Sequence, residues 1–343
     1  MGSIGGDGMS VVGVVAIGRN EGERLKRCLE SAKNSTDRVV YVDSGSTDGS
    51  VAFAQSIGVE VVDLDTSIPF TAARARNEGI ARLAERWGDV DAVHVIDGDC
   101  TFADGWIEAA ARFLDEHPKA AVVCGRRRER FPESSVYNRL CDLEWDTPIG
   151  EAKSCGGDAL FRLQAFNEAG GYRSSLIAGE EPELCVRIRA HGWTVHRLDH
   201  EMTLHDAAMT RFIQFWQRAK RAGHAYAEGA ALHGDGPDRH GVKQTRSSIV
   251  WGVVFPIIAI AAAWWTFGLS VIALLGLYAL QGWRIRSMAM RRGRSKRDAR
   301  TLALFTMLAK PAQAAGVLLY WRRRLLKQQP TLIEYKGAGS GNG

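Results

Sequence analysis

Two aspartates flanking a glycine, Asp97-Gly98-Asp99, have the spacing in this chain best suited to chemistry. They close the apolar run Ala92-Val93-His94-Val95-Ile96, which predicts a buried strand ending at the acidic pair. Side chains two apart on extended backbone point the same way, so both carboxylates converge at the strand's C-terminal edge. Converging carboxylates repel unless something positive lies between them, and a hard divalent cation holding a diphosphate meets that need. Open α/β sheets also bind their ligands at these strand ends. Taken alone, an acidic pair after a strand equally suits a solvated turn.

Glu180 and Glu181 form a second acidic pair. Pro182 fits the first position of a helix running to Gly192, which puts Glu181 at the N-cap. There the helix dipole favours an ionised carboxylate, as a general base requires, although a plain cap would look the same.

The elements that must position these groups lie upstream. Residues 11–21 (VVGVVAIGRNE) read as a strand running into a polar loop, followed by a helix over 23–32. Residues 39–50 (VVYVDSGSTDGS) read as a second strand ending at Asp43 and a Ser/Gly/Thr/Asp turn. Residues 70–80 (FTAARARNEGI) open a helix carrying Arg74, Arg76 and Asn77.

In this order, with VIDGD at 95–99, GGD at 156–158 and GEEPEL at 179–184, the segments resemble glycosyltransferase family 2 over roughly residues 9–235. These are inverting transferases with the GT-A fold, a Rossmann-like mixed α/β sheet flanked by helices. The resemblance implies a nucleotide-sugar donor. It puts Ile17, Arg19 and Glu21 on the first strand end, Asp43 and Ser44 on the second, and Arg76, Asp97 and Gly98 in the nucleotide site. Relatives often carry a second Asp where Ser44 stands, which leaves UDP against GDP open; UDP is the expectation. Locally, Asp43 also suits an Asx-type turn, and Arg76 could pair with a site carboxylate or lie on the surface.

The resemblance further implies that Asp97 and Asp99 hold Mn²⁺ or Mg²⁺. His205, after a short strand over 201–204, is the candidate third ligand; imidazole suits Mn²⁺ better, and a structural histidine is the alternative. Glu181 matches the family's catalytic base, with Glu180 as its substitute, and Gly156, Gly157 and Asp158 match the loop over donor sugar and acceptor. The family's processive enzymes carry Gln-x-x-Arg-Trp, whereas this chain reads Gln217-Arg218-Ala219-Lys220-Arg221, so a single sugar addition is expected.

Charge divides the 343 residues. From Arg239 onward there are 17 Lys and Arg against 2 Asp and Glu, or +15; the whole chain carries +5, so the first 238 residues carry −10. Basic groups flanking apolar segments suggest an anionic membrane surface rather than nucleic acid. Residues 249–283 are almost wholly apolar around Thr266-Phe267-Gly268. As one helix they would be about 50 Å long, beyond a ~30 Å hydrocarbon core. With both flanks basic, a helical hairpin with both ends cytoplasmic is expected, spanning or re-entrant. Lys310 and Pro311 disfavour a spanning helix beyond residue 301, so two interfacial helices, one on each side of Pro311, are expected. The six cysteines lack a C-x-x-C pair and are expected to be reduced.

The expected organisation is a disordered leader (1–10), the GT-A domain (11–236), a basic linker (237–248), the membrane hairpin (249–283), a basic loop (284–300), interfacial amphipathic helices (301–336) and a disordered tail (337–343). The expected function is a metal-dependent inverting transferase at the plasma membrane, its catalytic domain cytoplasmic. It would move one hexose to a lipid-linked saccharide. The alternatives are a polyprenyl-phosphate glycosyltransferase and an inactive membrane scaffold.

Overall fold

The computed structural model describes residues 9–328 and 331–333, so most of the expected leader and all of the expected tail lie outside the described residues. In chain order the elements are β1 (Val12–Gly18), α1 (Glu23–Ser35), β2 (Val39–Asp43), α2 (Ser50–Ser56), β3 (Glu60–Asp63), α3 (Ala72–Arg86), β4 (Ala92–Asp97), β5 (Cys100–Phe102), α4 (Trp106–Glu116) and β6 (Ala120–Glu129). There follow α5 (Val136–Trp145), β7 (Gly150–Glu151), β8 (Ala159–Arg162), α6 (Leu163–Glu168), α7 (Glu180–Ala190), β9 (Thr194–His205) and α8 (Phe212–His233). The last elements are α9 (Val242–Ile249), a π-helical turn (Val250–Val254), α10 (Phe255–Ala262), α11 (Leu269–Arg291) and α12 (Lys296–Leu325).

The chain divides into two compact units. The first comprises the described residues up to Arg130, Trp145–Leu176 and Glu180–Ala207; the second comprises Phe131–Glu144, Ile177–Gly179 and the described residues from Ala208. The first unit is built on one mixed sheet of order β3-β2-β1-β4-β8-β6-β9-β5, with β7 paired to β9. β1 pairs parallel with β2 and β4, and β4 pairs antiparallel with β8. Val14, Val15 and Ala16 of β1 and Val93, Val95 and Ile96 of β4 are wholly buried, as expected of central strands covered on both faces. α3 begins at Thr71, whose side chain accepts a hydrogen bond from the Arg74 amide.

The second unit is helical. α12 packs on α8 with so little space that a Cβ on Gly316 would lie 2.0 Å from the Lys220 carbonyl oxygen. One on Gly223 would lie 1.9 Å from that of Gln313. Small residues at such crossings let helix backbones approach closely.

This packing corrects the expectation of two interfacial helices broken at Pro311. One helix of 30 residues runs through Pro311. A proline inside a helix costs about 3 kcal/mol. Here the residues around it are pinned by tertiary contacts: Gly252 lies against the Lys310 carbonyl and Gly223 against that of Gln313. Phe305, Met307, Ala312, Val317 and Tyr320 are buried within the unit, whereas Leu308 and Leu318 are exposed.

The expected boundaries shift as well. The basic linker is helical from Val242, and the expected loop over 284–300 shrinks to residues 292–295 between α11 and α12. α8, assigned from sequence to the GT-A domain, belongs to the second unit. The hairpin turns between Ala262 and Leu269, with Gly268 left-handed at φ 85°. Trp264, Trp265 and Phe267 at its tip are 86%, 78% and 96% exposed. Val242–Ala262 and Lys296–Leu325 are long and apolar enough to cross a membrane.

Candidate active site at the ends of β1, β2 and β4

The ends of β1, β2 and β4 lie side by side in the sheet, Gly18 opposite Asp43 and Ile17 opposite Asp97. Their loops are tied together by polar contacts. Asn20 Oδ1 accepts from the Thr47 amide at 2.7 Å, Ser46 Oγ accepts from the Asn20 amide at 2.9 Å, and Asp48 Oδ2 accepts from the Gly22 amide at 2.9 Å.

Asp43 is a turn residue by its contacts. Its Oδ1 accepts from Tyr41 at 2.6 Å, and its Oδ2 accepts from the Gly45 and Ser46 amides at 2.8 and 2.7 Å. Ser44 Oγ donates to the Gly18 carbonyl at 3.3 Å. Glu21 pairs with Arg24 at 2.7 Å, Ile17 is buried and Arg19 is exposed.

The acidic pair of β4 is divided between two environments. Asp97 ends the strand and is ringed by guanidinium groups, with Arg76 Nη2 at 2.8 Å from Oδ1 and Arg127 Nη2 at 3.3 Å from Oδ2. Positive charge therefore meets Asp97 from within the protein. Asp99, nearly fully buried, faces His205, whose Nε2 lies 3.2 Å from its Oδ2. The other ring nitrogen of His205, Nδ1, lies 3.7 Å from Glu129 Oε2, and the Trp145 ring packs edge-on at 4.6 Å. Burial alone would lower the His205 pKa, but the Asp99 and Glu129 carboxylates together outweigh it and leave the value raised.

Asp99, Cys100 and His205 bring one donor atom each within 4.8 Å of one another. A carboxylate and an imidazole this close fit two ligand positions of Mn²⁺ or Mg²⁺, Mn²⁺ the better match to nitrogen. A carboxylate behind the second ring nitrogen is how metal-binding histidines are commonly oriented. The register explains the meeting, since β5 pairs antiparallel with β9 and Cys100 lies opposite His205. His205 thus ends a 12-residue strand rather than following a short one.

Gly156, Gly157 and Asp158 lead into β8. A Cβ on Gly157 would lie 3.2 Å from both Asp97 Oδ2 and Arg127 Nη1, so a side chain there would crowd the site. Gly156 is exposed with φ +96°. Asp158, expected in a loop over ligands, is fully buried as a strut. It accepts from Thr203 Oγ1 at 2.9 Å and pairs with Arg127 at 3.1 Å, and its Oδ1 accepts from the Asp97 amide at 3.2 Å.

Glu180 and Glu181 diverge. Glu180 opens α7 and accepts from Arg76 Nη1 at 2.7 Å. Glu181 is the second residue of the helix rather than its N-cap, and it turns into a buried pocket of thiols. Its Oε1 accepts from the Cys155 amide at 2.5 Å, Cys155 Sγ at 3.0 Å and Cys185 Sγ at 3.4 Å. Burial pushes its pKa up, and the Cys155 hydrogen bonds oppose the shift.

Sequence reasoning missed Arg127, Glu129, Cys155 and Cys185. A signal existed for the first two. They lie two apart at the end of β6, so the strand period points both the same way.

The family model described as Glycosyl transferase family 2 matches residues 14–158. An N-acetylglucosaminyl-diphospho-decaprenol L-rhamnosyltransferase of Mycobacterium tuberculosis is 33% identical over 239 residues, 58% of this chain and 76% of the relative. A TPR repeat-containing protein of Synechococcus elongatus is 31% identical, and succinoglycan biosynthesis protein ExoA of Rhizobium meliloti is 26% identical. The matches take in 46% and 58% of this chain but only 38% and 64% of those two relatives. Among solved structures, a mannosyltransferase of Pyrobaculum calidifontis in complex with GDP-Man and Mn²⁺ shares the fold, with a TM-score of 0.60 at 17% identity over 90% of this chain and 88% of the other.

Proposed function

The chain belongs to glycosyltransferase family 2, and on that premise we propose that it transfers a single hexose, with inversion, from a nucleotide sugar to a lipid-linked saccharide at the cytoplasmic face of the plasma membrane. The observation that carries the reading is the 3.2 Å approach of Asp99 and His205 beside Asp97, where β4 ends next to β1.

Asp99 and His205, with Asp97 alongside, would hold Mn²⁺ or Mg²⁺, which when bound neutralises the departing nucleoside diphosphate. Arg76 and Arg127 fix positive charge at the same strand end. Glu181 takes the proton of the acceptor hydroxyl. Its buried surroundings favour proton uptake, while Glu180 is engaged by Arg76 at 2.7 Å. The loops after β1 and β2, with Glu21, Asp43 and Ser44, receive the nucleotide.

The lipid-linked acceptor is supported by the decaprenol-linked substrate in the name of the mycobacterial relative. It is also supported by the exposed aromatic tip of the hairpin and by the basic segment from Arg239. Each basic group near an anionic membrane surface contributes about 1 kcal/mol.

The test is a screen of nucleotide sugars for Mn²⁺-dependent hydrolysis by the full chain in detergent. The active donor is then offered with a polyprenyl-diphosphate saccharide, a polyprenyl phosphate and soluble saccharides. Transfer to the first is expected. Transfer to polyprenyl phosphate alone selects the polyprenyl-phosphate transferase, and no turnover of any donor selects the scaffold.

A further inference from the structure

Cys155 and Cys185 bring their sulfurs to 3.7 Å, with Glu181 Oε1 at 3.0 and 3.4 Å from them. All three side chains are buried, and their donor atoms lie within 4.8 Å of one another. The loop before β8 and the second turn of α7 supply one thiol each, and Glu181 sits one helical turn before Cys185.

These distances have a second meaning besides hydrogen bonding. A tetrahedral zinc ion with Zn–S about 2.3 Å and Zn–O about 2.0 Å separates two sulfurs by about 3.8 Å and a sulfur from an oxygen by about 3.5 Å. Three corners of that tetrahedron are therefore already laid out, to within about half an ångström. We propose that Cys155, Cys185 and Glu181 form a binding site for a thiophilic divalent cation of the Zn²⁺ class, separate from the hard-ion site at Asp99 and His205.

Softness keeps the two sites apart. Two thiolates select Zn²⁺ over Mg²⁺ and Mn²⁺, whereas Asp99 and His205 offer oxygen and nitrogen with the single Cys100 thiol beside them. Binding replaces the two S–H protons with two metal–sulfur bonds and releases both protons to solvent, while the Glu181 carboxylate contributes a lone pair. The fourth position is left to solvent. Cys155 lies directly before exposed Gly156, the nearest exposed residue in sequence to the two thiols.

The metal site stands on the two thiols. Its consequence for turnover rests on the reading of Glu181 as the base, because a carboxylate bound to Zn²⁺ cannot accept a proton.

The test uses the full chain in detergent, under a phosphine reductant, titrated with Co²⁺. Binding should produce the near-ultraviolet thiolate-to-cobalt charge-transfer band at about one ion per chain, and Zn²⁺ should erase it by displacement. Asp99→Asn should keep the band, and the double change Cys155→Ser with Cys185→Ser should lose it. Because the double variant could misfold, maleimide labelling of the unaltered protein is followed at each cysteine by mass spectrometry. Zn²⁺ should slow labelling of Cys155 and Cys185 about tenfold or more and leave Cys28 unchanged. Absence of a thiolate band, its survival in the double variant, or equal labelling with and without Zn²⁺ overturns the site. Donor hydrolysis should fall about a hundredfold or more at saturating Zn²⁺, the range for losing a general base, and recover on chelation and Mn²⁺ re-addition. A band with undiminished turnover upholds the metal site and counts against Glu181 as the base.

Discussion

Arg76 donates to Asp97 through Nη2 at 2.8 Å and to Glu180 through Nη1 at 2.7 Å, so one buried guanidinium ties the end of β4 to the first turn of α7. Burial opposes its charge, but Asp97, with Tyr172 and Glu180, outweighs that and raises its pKa. The arginine is thus both a strut and a fixed cation beside the candidate site.

Arg76→Ala should destabilise the first unit by about 3–5 kcal/mol, because it takes the buried cation from Glu180 and leaves Asp97 to Arg127 at 3.3 Å. Water reaching the half-open Asp97 should move the result towards the lower figure. The urea midpoint at constant slope measures this, and a loss under about 1 kcal/mol would remove the strut role.

Asp99→Asn keeps the shape but removes a hard anionic ligand, so it should abolish Mn²⁺-dependent binding of nucleoside diphosphate. His205→Ala should weaken Mn²⁺ binding without unfolding. Glu129→Gln, which loosens the imidazole from behind, should cost about 10–100-fold in metal affinity. Calorimetric Mn²⁺ titration separates the three variants, and unchanged isotherms would return His205 to a structural role.

Glu181→Gln should leave donor affinity near normal and lower turnover by roughly 10²–10⁴-fold, the range for losing a general base. Glu180→Gln should cost less turnover, since its oxygen is already engaged by Arg76. Single-turnover rates for both variants decide the matter, and the opposite order would move the base to Glu180.

His94 is buried in β4, where its Nε2 accepts from the Trp106 indole at 2.9 Å, and burial lowers its pKa to about 3. The unfolded chain takes up this proton near pH 6.5 and the folded one near 3. The stability it contributes is therefore complete above about pH 6.5 and lost as the pH falls towards 3. The expected slope approaches 1.4 kcal/mol per pH unit between those values. His94→Leu should flatten that slope by one proton while costing about 1–3 kcal/mol at neutral pH for the orphaned indole N–H. Urea denaturation at a series of pH values gives both quantities, and parallel curves for the two proteins would refute the linkage.

Gly316→Ala should destabilise the second unit by about 1–3 kcal/mol, since its Cβ would stand 2.0 Å from the Lys220 carbonyl and the helices must part. Gly276→Ala in α11 meets nothing within 4 Å and should stabilise by about 0.5–1 kcal/mol through helix propensity. Thermal unfolding of the two variants should shift in opposite directions; a shift of the same sign would deny the close crossing of α8 and α12.

Local pattern made β1, β2 and β4 legible, because β-branched runs ending in polar turns specify buried strands whatever surrounds them. The same patterns gave the acidic triplet at the end of β4 and the hairpin turn near Gly268, each encoded within a few consecutive residues. The partners of those residues were not legible, since they come from distant segments. Whether Asp97 meets a cation or an arginine depends on α3 and β6, which bring Arg76 and Arg127 to it across 21 and 30 positions of sequence. The placement of His205 on Asp99 depends on the antiparallel register of β5 and β9. Pro311 likewise reads locally as a break, but glycine crossings with α8 and the π-helical turn hold the helix together. Sequence by itself determined the strands, their turns and the chemical types at the strand ends. Tertiary structure alone decided which charges meet, because pairing energy depends on distance and burial, and neither is written in the spacing of neighbouring residues.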